Sequence, residues 1–245
     1  MTPESGSALL EVNGLGFAFG PHAVLDVERL RVARGEAILL VGDNGSGKTT
    51  LLKILAGLLV AAHGAFRCLG NPMNPREAAR FCRGRHVYLH QSPYMFDGSV
   101  EDNIAYGLKL RGRDLTQRRI EIRDMLAWAD LDHLVHRPAR QLSTGEKQRV
   151  ALTRARILAP SLLLLDEITA NMDGASRRRT HAMIADLKQA GSSVVFATHD
   201  HASIEALCEQ RLALTEGRLE ALRTAAGADV IPLHRDGTLP TGRRP

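Results

Sequence analysis

Five consecutive apolar residues, Ala37-Ile38-Leu39-Leu40-Val41, run directly into Gly42-Asp43-Asn44-Gly45-Ser46-Gly47-Lys48-Thr49. A helical apolar spacing then follows over Lys48–Leu59. A run that is apolar at every position cannot present either face to water, so it predicts a strand inside a parallel sheet covered on both sides. The glycine-rich stretch matches GxxxxGK[ST] at every fixed position and has the preceding strand and following helix that the motif requires. Glycines let the backbone curl so that successive N–H groups point inward, and the dipole of the new helix favours an anion at the same place. The pattern therefore predicts a phosphate cradle of Gly42, Asn44, Gly45, Ser46, Gly47 and Thr50. Lys48 would reach the β- and γ-phosphates of a nucleotide, and the Thr49 hydroxyl would ligate Mg2+.

Leu162-Leu163-Leu164-Leu165 ends in Asp166-Glu167. A second strand buried on both faces would deliver these acids to the carboxyl edge of the sheet, where α/β proteins bind ligands. Asp166 suits a metal role through water, with the phosphate loop expected on a neighbouring strand. Glu167 suits a general base that orients an attacking water.

Short apolar runs alternate with helical patterns elsewhere, which predicts an α/β domain with a mostly parallel central sheet. Strands are predicted at Leu9–Val12 and Val24–Val32 around the Gly20-Pro21 turn, forming an N-terminal antiparallel β layer. Further strands are predicted at Gly64–Leu69 and Arg85–Leu89, with a helix Pro75–Cys82 between them. From Val100 to His136 the periodicity is helical almost throughout: Val100–Leu110, then Thr116–Ala129 with Thr116 as its cap, then a short piece around Leu131. This reads as a helical subdomain of about residues 92–158 inserted into the core. Helices at Thr144–Leu158, Ser176–Gln189 and Asp200–Cys208, a strand at Ser193–Thr198 and a hairpin at Arg211–Leu219 turning on Glu216-Gly217 complete the domain, expected over residues 1–222. Residues 223–245 lack apolar periodicity and read as a loose tail.

Composition narrows the partners. With 32 Lys+Arg against 27 Asp+Glu the net charge is +5, and 44% of the chain is apolar, which excludes disordered, collagenous and coiled-coil classes. The basic excess is spread thinly and aromatics make up 4%, so no nucleic-acid partner is expected. Cys68, Cys82 and Cys208 fit neither a disulfide framework nor a metal site and read as structural thiols. The best membrane candidate, Leu51–Ala62, is broken by Lys53 and Gly57, and Met1–Ala8 has no signal-peptide character. A cytoplasmic location follows as an expectation.

Leu142-Ser143-Thr144-Gly145-Glu146-Lys147-Gln148-Arg149 resembles the LSGGQ-type signature of the ABC (ATP-binding cassette) ATPases. Other family elements occur in order: Phe19 where an adenine-stacking aromatic lies (with Phe17 as a competitor), Gln91 as the Q-loop glutamine, Ala170-Asn171-Met172-Asp173 as the D-loop and His199 as the H-loop histidine. The resemblance spans Leu9 to Glu220 and implies a P-loop NTPase core that hydrolyses MgATP. It makes Lys48, Gln91, Glu167 and His199 the catalytic set, and Thr49, Gln91 and Asp166 the metal set. It further implies that Ser143, Gly145 and Glu146 face ATP held by a second copy. The other implied partners are a transmembrane permease and, indirectly, a substrate-binding protein, with the chain peripheral on the inner membrane face. The stretch from Met95 to Gly112 is similar to importer subunits for oxyanions such as tungstate and phosphate.

Three departures stand out: Thr144 for a glycine, Glu146 for glutamine, and Ile168 for the proline after Asp-Glu, which is expected to loosen that turn. The alternatives compatible with the sequence are an exporter subunit, a soluble ABC ATPase acting on ribosomes or DNA, and a cassette that binds ATP without hydrolysing it.

Overall fold

Two long strands, β1 (Ala8–Phe19) and β2 (His22–Ala33), form an antiparallel hairpin in the computed structural model, which describes residues 7–110, 115–198 and 204–222. Alternation drives the pairing: Leu10, Val12 and Leu15 are buried, while Glu11 turns outward between Arg31 and Arg67 on the flanking strands. The next elements are β3 (Ala37–Val41), α1 (Lys48–Leu55), β4 (His63–Cys68), β5 (Asn71–Met73), α2 (Pro75–Cys82) and β6 (His86–Leu89). Then come α3 (Val100–Leu110), α4 (Leu115–Ala129), α5 (Thr144–Leu158), β7 (Leu162–Asp166), α6 (Gly174–Gln189), β8 (Ser193–Ala197), β9 (Gln210–Thr215) and β10 (Arg218–Leu222).

The first sheet runs β2-β1-β4-β5, all antiparallel. The second runs β10-β9-β3-β8-β7-β6, parallel except for β10 at its edge. β3, β7 and β8 are buried at every position, Asp166 and Ser193 at strand ends included, around the apolar runs Ala37–Val41, Leu162–Leu165 and Val194–Ala197. Alternate residues serve two cores. Leu39, Leu163, Leu165, Val194 and Phe196 pack with α3–α6. Ile38, Leu40, Leu162, Leu164 and Val195 pack with α1, α2 and the first sheet. Cys68 and Cys82 are buried free thiols on the latter side.

The structure corrects several sequence-level boundaries. α1 stops at Leu55, before Gly57 takes the left-handed conformation, rather than running to Leu59. α4 begins one residue before Thr116, which therefore lies inside the helix and is not its cap. The helix expected over Asp200–Cys208 leaves, in its described part, a single 3-10 turn at Glu205–Leu207; residues 199–203 lie outside the described residues. The phosphate loop and the Asp166 strand are not neighbours either, because β8 lies between β3 and β7. No helix among the described residues is long and apolar enough to cross a membrane.

His86 shows how the sheet grips α1. Its Nδ1 donates to the Leu55 carbonyl at 2.7 Å from a site only 6% exposed. Burial lowers its pKa, outweighing the carbonyl bond, and the charge of Arg85 acts in the same direction. A folded-state histidine with a lowered pKa stays neutral where the unfolded chain takes up a proton. The contribution of this site is therefore independent of pH above about pH 6.5, and stability is lost as pH falls below it. In His86→Asn, which retains a donor, denaturant titrations between about pH 6.5 and 5 should show a stability slope shallower by up to about 1.4 kcal/mol per pH unit.

Candidate functional site

The loop between β3 and α1 wraps a cavity of about 230 Å3 lined by Asn44, Gly45, Gly47, Lys48, Thr49, Thr50, Asp166 and Glu167, with Val24 from the N-terminal hairpin. Glycine is sterically required at the loop's start. Gly42 has φ 154°, and a Cβ there would lie 2.2 Å from the Leu214 carbonyl of β9. Gly47, in the left-handed conformation, caps α1 with no side-chain hydrogen bond, so the helix's first N–H groups are left for the loop. Lys48, 8% exposed, folds its ammonium back over the loop, donating to the carbonyls of Gly42 at 2.6 Å and Asp43 at 2.8 Å.

Across β8, Asp166 is 4% exposed at the end of β7 and accepts the Thr49 hydroxyl at 2.7 Å on Oδ2. The Tyr88 hydroxyl donates to the same oxygen at 2.7 Å. Burial, together with the bond to Asp166 and its charge, raises the Tyr88 pKa, which keeps the phenol a donor. Glu167 follows in the left-handed conformation (φ 53°), its N–H donating to Ala197 of β8 at 2.8 Å. That turn carries Ile168 in place of proline. It is closed by the Ala170 N–H donating to the Glu167 carbonyl at 3.1 Å, and Ile168 itself is buried in the core.

The donor set fits Mg2+. A threonine hydroxyl and a carboxylate are hard oxygen ligands, within hydrogen-bond distance of each other in the lining of the loop's cavity. The buried Ser46 hydroxyl, which has no hydrogen-bond partner, fits a loop built for an oxyanion.

Of the sequence-predicted residues, Gly42, Ser46, Phe19, Gln91, Ser143, Gly145 and Glu146 are not among those lining this cavity. Phe19 is 55% exposed at the hairpin tip, edge-on to the half-buried Phe17 at 4.9 Å between ring centroids. Gln91 follows β6, and its backbone carbonyl accepts the side-chain amide of the fully buried Gln148 at 2.8 Å. Ser143 caps α5 in a reciprocal box: its hydroxyl accepts from the Glu146 N–H at 3.4 Å, and Glu146 Oε2 accepts from the Ser143 N–H at 2.7 Å. Burial raises the Glu146 pKa, but the Ser143 N–H and hydroxyl outweigh it and hold the carboxyl below its usual range. Thr144 is exposed as the first residue of α5. His199 lies outside the described residues.

The ABC transporter family model matches residues 25–170. The chain belongs to the ABC transporter family. Among curated relatives of this ABC chain, a sulfate/thiosulfate import ATP-binding protein of Xanthomonas campestris pv. campestris is 36% identical over 222 residues, covering 89% of this chain and 64% of the relative. A lipoprotein-releasing system ATP-binding protein of Rhodospirillum rubrum is 35% identical over 221 residues, covering 86% of this chain and 95% of the relative. The first relatives matched are longer, and the chain spans between 48% and 64% of their length. Among solved structures, cbiO1 from Clostridium perfringens, part of the ABC transporter complex cbiONQ, superposes with a TM-score of 0.78 at 26% identity over 87% of each chain. The α/β fold with its antiparallel layer is thus that of ABC ATPases.

Sequence reasoning missed three residues that support the predicted site residues of this ABC chain. Tyr88 lies in a strand where a tyrosine reads as apolar. Gln148 lies within the signature stretch, but its buried contact needs the fold. Ser176 explains Gly145 within one chain, since a Cβ on Gly145 would lie 2.9 Å from both Cβ and Oγ of Ser176. Gly145→Ala should lose about 1–3 kcal/mol in urea unfolding. Adding Ser176→Gly should return part of the loss, and strictly additive losses would place the glycine requirement elsewhere.

Proposed function

We propose that the chain is the ATP-binding and ATP-hydrolysing subunit of an importer, working on the cytoplasmic face of a membrane permease. The observation that carries this reading is the convergence of Lys48, Thr49, Asp166 and Glu167 on one cavity at the glycine-rich loop in a member of the ABC transporter family. Residues 1–222 form the ATPase domain, with a helical subdomain of about 92–158.

In this reading the loop amides and Lys48 bind the β- and γ-phosphates, with Gly42, Asn44, Gly45, Ser46, Gly47 and Thr50 shaping the cradle. Exposed Phe19 supports the adenine. Thr49, Asp166 and Gln91 hold Mg2+, which offsets charge on the phosphate oxygens when bound. Glu167 orients the attacking water and takes up its proton, with His199 fixing the γ-phosphate side. The chain's contribution is positional and electrostatic, as suits a phosphoryl transfer with little covalent chemistry for the protein to perform.

The same-chain cavity is not lined by Ser143 or Gly145, which supports an ATP sandwich between two copies. There the α5 N-terminus of one copy, carrying Ser143, Gly145 and Glu146, would face the nucleotide of the other. An apolar groove opens three residues beyond Gln91, lined by Val87, Leu89, Tyr94, Phe96, Tyr106 and Arg154. Tyr94 is 69% exposed there. Its continuity with the Gln91 loop suits a cytoplasmic helix of the permease. Import of an oxyanion, delivered by a binding protein, is favoured by the sulfate/thiosulfate import relative. The lipoprotein-release relative keeps the exporter reading open.

Glu167→Gln should lower steady-state ATPase activity by about 100-fold or more, and an unchanged rate removes Glu167 from catalysis. On a sizing column the same variant should dimerise with ATP. Adding Ser143→Arg should leave it monomeric, and persistent dimers would overturn the sandwich.

A further inference from the structure

Asp166 Oδ2 accepts two hydroxyls, Thr49 Oγ1 and the Tyr88 phenol, each at 2.7 Å. A carboxylate oxygen offers two in-plane lone pairs, so these donors fill Oδ2 and leave Oδ1 as the oxygen neither engages. The fold brings Tyr88 there by register. β6 lies parallel beside β7 with Tyr88 opposite Leu164, two residues before Asp166. Two residues of strand span about 6.6 Å, which a tyrosine ring with its hydroxyl covers and a serine or threonine does not. On the other flank Asp166 pairs with Ala197, whose side chain has no donor.

We propose that Tyr88 is a positioning residue for the metal, locking the Asp166 carboxylate so that it is presented through Oδ1. The inference rests on the reading that Thr49 and Asp166 hold Mg2+. Without the phenol, the hydroxyl remaining on Oδ2 among the described residues is that of Thr49, itself a metal ligand in that reading, and the carboxylate torsion is intrinsically broad. A hydrogen bond to a carboxylate also draws charge from it, which alone would weaken the metal. Loss of orientation is the larger effect, since losing an outer-shell partner typically costs 10- to 100-fold in metal affinity.

The test is binding of a fluorescent ADP analogue to the full chain, titrated with Mg2+ and separately with Mn2+. Tyr88→Phe should raise the metal midpoint about 10-fold while leaving affinity for the metal-free nucleotide and the melting temperature near wild type. Asp166→Asn and Thr49→Ala serve as references and should raise the midpoint further. If the references shift and Tyr88→Phe does not, or tightens binding, Tyr88 is only a core tyrosine and the inference fails. If neither reference shifts, the metal reading itself falls and takes the inference with it. Should Tyr88→Phe not fold, Tyr88→Met removes the donor with a flexible side chain, and its midpoint must move the same way.

Discussion

The 2.7 Å contact between Thr49 and Asp166 is the joint on which the site depends. It connects the first turn of α1 to the end of β7 over the top of β8, so it exists only because the parallel strands end together at one edge. A strand buried on both faces must be apolar along its length, and β3, β7 and β8 are, except for Asp166 and Ser193 at strand ends. Their polar side chains are thus confined to the ends of the strands. There the hydroxyls of Thr49 and Tyr88 supply the hydrogen bonds that an apolar core cannot offer the Asp166 carboxylate.

Much of this was legible. α2, α3, α5 and β7 start and stop where periodicity and capping put them, and the Glu216-Gly217 turn lies where expected. The fixed positions of the phosphate loop localised the cavity outright. Strand order was not legible, because an apolar run says that a strand is buried but not what lies beside it. β5 is three residues long and contains proline, too short for any period to register. The full length of β1 is hidden by its glycines, which weaken a strand pattern without breaking the ladder.

The site's side chains divide in the same way. Lys48, Thr49, Asp166 and Glu167 were readable as residues of one cavity because each belongs to a short motif of fixed spacing. Tyr88, Gln148 and Ser176 were not, because each acts on a group far along the chain. Glu146 shows a third situation: a departure from the family's signature completes a capping box, a role that glutamate fills as well as glutamine.

Gln148 has a mechanical consequence. Its amide holds the backbone carbonyls of His90 and Gln91 at 3.2 and 2.8 Å from inside the protein. Pulling α5 away from that loop would strand a buried amide, at a cost of about 1–3 kcal/mol. The signature end of the helix and the glutamine loop are therefore geared together, and a tilt imposed at either one is felt as a displacement of the other.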